Sequence, residues 1–231
     1  MLPVITVGRL QLSTYWIAMV LGFVAMMLLM LKRKERFALN RWQAIAFTAV
    51  LMVSGLFGCK LLYVLESFPD VVKNGISWGG FSFFGAVFLI PFTMGVFGKA
   101  LSLTPRQSLD ASAPCVALMV GVIRFGCFLN GCCGGRTIEI HNRAFRWPTQ
   151  AMEGIGDIVI LLLLLSREED QKTEGSLYPM FLIWYGLLRF VIEFLRSTPK
   201  DWLCLSHGQW FSIIAVAIGF FSLRRDRYAK S

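Results

Sequence analysis

Apolar runs of about 20 residues, separated by short polar stretches, recur along this chain from one end to the other. Each is about long enough to cross the hydrocarbon core of a bilayer as a helix. They fall at roughly 12–31, 43–66, 80–98, 109–129, 150–165, 178–195 and 208–223. The pattern predicts an all-α polytopic membrane protein with about seven transmembrane helices, forming a single transmembrane domain over residues 1–231. The opening MLPVITVGRLQLS is polar and mixed, without a basic stretch feeding a short apolar core. No cleavable signal peptide is therefore expected, and the first run is expected to remain as a span.

Composition strengthens this reading. Hydrophobic residues make up 56% of the chain and charged residues only 16%, against roughly 25% charged in ordinary soluble domains. The net charge of +9 would suit nucleic acid in a soluble protein, but here its distribution argues otherwise. With seven spans, 13 lysines and arginines fall on one side, among them Lys32, Arg33, Arg41, Lys99, Arg167 and Arg224, and 7 on the other. Positive residues mark the cytoplasmic face. The expected topology has the N-terminus outside and the C-terminus cytoplasmic, with the basic excess facing anionic headgroups and no nucleic-acid partner.

Three cations, Lys60, Arg124 and Arg189, lie within the runs. A charge at that depth is costly and marks either a structural pair or a functional site. In WYGLLRFVIEFLR, Tyr185, Arg189 and Glu193 step by four and Arg196 follows, so helical spacing stacks them on one face. Arg124 opens RFGCFLNGCCGGR, whose glycines allow close backbone approach, and irregular backbone at this depth has to line a cavity or be buried. The loops ISWGGFSFFGAVF and RWPTQAMEGIGD, the latter carrying Pro148, Gln150, Glu153 and Asp157, return to the same expected face. A polar cavity toward the outer leaflet, rich in arginine, suits phosphate, and the abundant phosphate of a bilayer is a phospholipid headgroup.

The cysteines leave several readings open. Cys127, Cys132 and Cys133, with His141, do not match the usual zinc framework, and no metal or other cofactor is expected. A disulfide between Cys204 and a loop cysteine, a reactive thiol, and small residues filling a tight turn all remain.

Taken together, the motifs resemble those of the prolipoprotein diacylglyceryl transferase family, in the family's order over nearly the whole chain. TYW at Tyr15 resembles the first-helix tyrosine motif, and GCKLLYVL resembles G-x-R-x-x-Y-V-L with Lys60 in place of arginine. WGGFSFFGA resembles H-G-G-x-S-F-H-G-G, with Trp78 and Phe84 at the two histidine positions. RFGCFLNGCCGGR resembles the signature R-x-G-N-F-x-N-x-E-x-x-G-R, keeping Arg124, Gly126, Asn130, Gly135 and Arg136 but placing Cys127 and Cys132 at its asparagine and glutamate. WPTQAME, YGLLRFVIEFLR and SHGQWFS resemble three further motifs, keeping Gln150 and Glu153, then Tyr185, Arg189, Glu193 and Arg196, then Gly208 and Gln209.

The resemblance implies an enzyme of the bacterial cytoplasmic (inner) membrane. It would move diacylglycerol from phosphatidylglycerol, or another anionic phospholipid, to the cysteine thiol of a prelipoprotein signal segment. Arg124, Arg189 and Glu193 would be catalytic. Tyr15, Lys60, Asn130, Gly135, Arg136, Gln150, Glu153, Tyr185, Arg196 and Gln209 would bind substrate. Cys127, Cys132, His207 and Glu153 are candidates to take the thiol proton. A non-catalytic phospholipid-binding or thiol-redox membrane protein on the same scaffold is the alternative.

Overall fold

The computed structural model describes residues 4–7, 10–75, 80–140, 143–170, 174–198 and 204–228. Trp78 and His141 lie outside them. The described chain is mostly helical, with two short hairpins that the apolar runs did not foretell. Strands β1 (Val4–Val7) and β2 (Leu10–Ser13) pair antiparallel ahead of the first long helix. Strands β3 (Thr137–Ile140) and β4 (Arg143–Arg146) pair between the fifth and sixth helices. Alternation of apolar and polar residues over only four positions is too short to stand out beside the long runs.

The helices are α1 (Thr14–Arg33), α2 (Arg41–Glu66), α3 (Phe68–Asn74), α4 (Phe83–Ala100), α5 (Pro105–Asn130), α6 (Thr149–Asp170), α7 (Leu177–Glu193) and α8 (His207–Tyr228). Among the described residues, five segments are long and apolar enough to cross a membrane: Thr14–Phe37, Arg41–Glu66, Phe83–Ala100, Pro105–Asn130 and Thr149–Glu169. The chain divides into two compact units, residues 30–112 and residues 1–29 with 113–231.

In the first unit, Asn40 starts α2 with a capping box, its side chain accepting from the Gln43 N–H while Gln43 accepts from the Asn40 N–H. Helices α2 and α4 then meet at Gly58 and Gly85, where a Cβ on either residue would collide with the backbone of the other. Small residues let helix backbones approach in this way, gaining dispersion contacts that lipid does not offer. Lys60 on α2 lies 5.0 Å from the Tyr63 ring and 5.2 Å from the Phe81 ring. Phe84 is buried in α4 and stacks on Phe88.

Proline at position 114 of α5 has no N–H, so the carbonyl four residues back loses its helical partner. Buried Arg33 fills that gap, donating to the Asp110 carbonyl at 3.2 Å and the Ala111 carbonyl at 2.9 Å.

The second unit holds most of α1 and α5, with α6, α7 and α8. Helices α7 and α8 pack through Gly186 and Gly219, each directly against backbone of the opposite helix. A groove of about 480 Å³ between them is lined by Leu187, Phe190, Ile213, Val216 and Phe220. Helical spacing puts Leu187 and Phe190 away from the row of Tyr185, Arg189 and Glu193.

Candidate functional site

Three helices of the second unit bring five charged side chains together, and Glu153 is their hub. It lies in the second turn of α6 with its side chain 2% exposed. Arg124, near the end of α5, places Nε 3.1 Å from Glu153 Oε2. Arg189 of α7 donates from Nη1 to Oε1 at 2.7 Å. Arg196, just beyond α7, reaches Oε2 with Nη1 at 3.5 Å. Arg189 and Arg196 also flank Glu193, at 2.8 and 3.9 Å. Buried charges have to be paired, because the lost hydration of each ion costs several kcal/mol. Here the pairing is shared, and three guanidiniums against two carboxylates leave one positive charge in excess.

The rigid support for this cluster comes from local structure. Ser206 caps α8 in a reciprocal box, its backbone N–H donating to Gln209 Oε1 at 3.0 Å while Oγ accepts from the Gln209 N–H. The Ser206 hydroxyl donates onward to Glu193 Oε1 at 3.0 Å, and Thr198 Oγ1 donates to the same oxygen at 2.6 Å. Gly135 N–H donates to the Trp147 carbonyl and Arg136 N–H to the Leu195 carbonyl. A Cβ at Gly135 would press on the Leu195 carbonyl, so glycine is required for that close approach. Arg146 donates from Nε to the Gly135 carbonyl at 3.1 Å. Buried Gln150 donates to the Cys132 carbonyl at 2.5 Å.

The remaining expected site residues take varied positions. Tyr185 is buried one turn before Arg189 and stacks on Phe181. Asn130 is half-buried at the end of α5, Tyr15 half-buried in the first turn of α1, and the Arg136 side chain exposed. His207 is exposed at the start of α8, so the neighbouring Ser206, not the histidine, meets Glu193. Lys60 belongs to the other compact unit. Asp157, one turn along α6 from Glu153, is buried, and neither of its oxygens has a hydrogen-bond partner among the described residues.

None of the six cysteines forms a disulfide, so Cys204 is not joined to the loop cysteines. Cys204 is exposed instead, in a left-handed backbone conformation with φ 61°. The sulfurs of Cys127, Cys132 and Cys133 lie within 4.8 Å of one another. A left-handed Gly131 (φ 77°) and Cys133 (φ 61°) turn the chain back over the end of α5 and carry the two later thiols onto Cys127. The Cys133 thiol, beyond the helix, is held below the ordinary thiol range, at about 5, by a hydrogen bond from the Cys127 thiol and by the charge of Arg124.

Sequence spacing identified the row on α7 but not the central place of Glu153, nor Ser206 and Thr198. The S-x-x-Q spacing ahead of the apolar run of α8 was a readable cap signal. Nothing local announced that the capping serine would also hold Glu193.

Residues 3–224 match the family model described as prolipoprotein diacylglyceryl transferase. The chain is 28% identical to the phosphatidylglycerol–prolipoprotein diacylglyceryl transferase of Clostridium tetani, over 96% of each chain. It is 30% identical to transferase 2 of that name from Clostridium perfringens, over 91% of this chain and 89% of the relative. The Streptococcus mutans protein of the same name is 25% identical, over 97% and 95%.

Proposed function

The chain belongs to the prolipoprotein diacylglyceryl transferase family, and on that footing we propose that it transfers diacylglycerol from phosphatidylglycerol to the cysteine thiol of a prelipoprotein. The observation that carries this reading is the convergence of Arg124 and Arg189 on Glu153. In the reaction the thiolate attacks the glycerol carbon. A carbon–sulfur bond forms, the carbon–oxygen bond to phosphate breaks, and glycerol phosphate leaves with the electron pair. Negative charge gathers on the phosphate, and fixed cations in a site shielded from water stabilise it. Arg124 meets Glu153 through Nε, and a guanidinium has further N–H donors in a fork that fits phosphate oxygens. Glu153 and Glu193 orient the guanidiniums.

The protein works in the bacterial cytoplasmic membrane with seven spans, α7 and α8 completing the five segments above. The N-terminus lies outside, the C-terminus inside, and the arginine cluster toward the outer leaflet. The cation distribution supports this orientation.

The test is mass spectrometry of a lipobox peptide incubated with the purified protein and phosphatidylglycerol. The peptide is expected to gain a diacylglyceryl mass on its cysteine. Arg124→Ala and Arg189→Ala are each expected to slow the transfer about 10²–10³-fold, the usual effect of removing one charge-stabilising donor. Lipid binding without transfer by the unaltered protein would favour the non-catalytic phospholipid-binding alternative, for which buried Phe84 at a family histidine position speaks.

A further inference from the structure

The sulfurs of Cys127, Cys132 and Cys133 stand together where spacing gave no reason to expect a ligand set. We infer that they form a binding site for one soft, thiophilic metal cation such as Zn²⁺ or Cu⁺, bound by three thiolates. The three ligand atoms come within 4.8 Å of one another. A metal–sulfur bond of about 2.3 Å sets sulfurs about 3.8 Å apart in a tetrahedral site, so small side-chain rotations close the set. Three sulfur donors select soft metals over magnesium or calcium.

The three positions also differ in a useful way. Cys127 is buried on α5, Cys132 half-buried and Cys133 exposed, so an ion can arrive at Cys133 and be drawn inward. The fixed turn supports this preorganisation. Gly131 and Cys133 both have left-handed backbone, and the carbonyls of Cys132 and Cys133 accept from Gln150 and Thr149 of α6. Cys132 Sγ also lies 3.8 Å from the Cys127 carbonyl. Metal ligands need deprotonated sulfur, and cations beside a thiol favour that form. Arg124 is one turn before Cys127 on the same helix. A bound ion would fasten the turn over residues 131–136 to the end of α5. The site is independent of whether the enzyme transfers diacylglycerol.

The experiment uses the full-length protein in detergent, reduced, stripped with chelator and titrated without oxygen. Cd²⁺ serves as the probe, because thiolate-to-cadmium charge transfer absorbs in the ultraviolet in proportion to the thiolates bound. One saturable equivalent with a three-thiolate intensity is expected, displaced by added Zn²⁺. Cys133→Ser, at an exposed position, is expected to fold and to lower the intensity to two thiolates with weaker binding. Cys127→Ser would do the same, while the combined Cys59→Ser, Cys115→Ser and Cys204→Ser protein should titrate like the unaltered one. The inference is overturned if no saturable band appears, or if the band is unchanged in Cys133→Ser. It also falls if a thiol count on protein isolated without reductant shows two of the three lost to a disulfide.

Discussion

At the scale of single residues, Glu153 is the position on which most depends, since three guanidiniums lean on one carboxylate. Glu153→Gln keeps the shape but leaves Arg124 and Arg189 short of a counter-charge. Breaking a buried pair from one side costs about 3–5 kcal/mol. The variant is expected to melt well below the parent in detergent and to lose transfer activity at least as severely as Arg124→Ala, checked by thermal unfolding and by the peptide assay. Cys133 offers a pH reading. A thiolate, not a thiol, reacts with alkylating agents, and a free cysteine has a pKa of about 8.5. With Cys133 held at about 5, its alkylation in metal-free protein is expected to stay on a plateau from neutral pH down to about pH 6. The rate should then fall as the pH drops through 5. A rate rising tenfold per unit between pH 6 and 8, measured by mass spectrometry of the labelled peptide, would show that Cys133 titrates as an ordinary thiol.

At the scale of elements, two helix ends carry tasks beyond their own stability. The Ser206 cap starts α8 and also holds Glu193. Ser206→Ala should therefore cost more than the roughly 1 kcal/mol of a lost cap. Gln209→Ala, which breaks the reciprocal half of the box, should cost stability with a smaller effect on activity. Comparing kcat and Tm for the two variants separates the roles. The other end is the proline break in α5, bridged by Arg33. Arg33→Ala leaves the buried Asp110 carbonyl without a donor and is expected to destabilise by about 1–3 kcal/mol. In Pro114→Ala the helix bond to Asp110 can form, so the same arginine substitution should cost less there. A double-mutant cycle measures the difference.

At the scale of the whole molecule, the proposed orientation makes a labelling prediction. Cys204 is exposed and follows α7 at its outer end in that orientation. With the other cysteines replaced by serine, a membrane-impermeant maleimide is expected to label Cys204 on intact spheroplasts, whereas Lys34→Cys in a protein with all six native cysteines replaced should label only after permeabilisation. The reverse pattern would invert the topology and move the arginine cluster to the cytoplasmic leaflet. The membrane class was legible because apolar run length and the side on which cations accumulate are properties of the linear chain. The hairpins at residues 4–13 and 137–146 were not, since four-residue strands carry little pattern against so apolar a background.

The sequence by itself determined the helical, membrane-embedded character of this protein and the row of Tyr185, Arg189 and Glu193, because a turn of helix fixes which residues share a face. It also carried the family motifs. Only the tertiary structure decided that Glu153, 36 residues before Arg189, would be the common partner of three arginines, that Ser206 would reach Glu193, and that three cysteines with unpromising spacing would meet. Periodicity says which side of a helix is special. Which helix that side will face depends on close glycine contacts and left-handed turns that act only once distant segments have packed together.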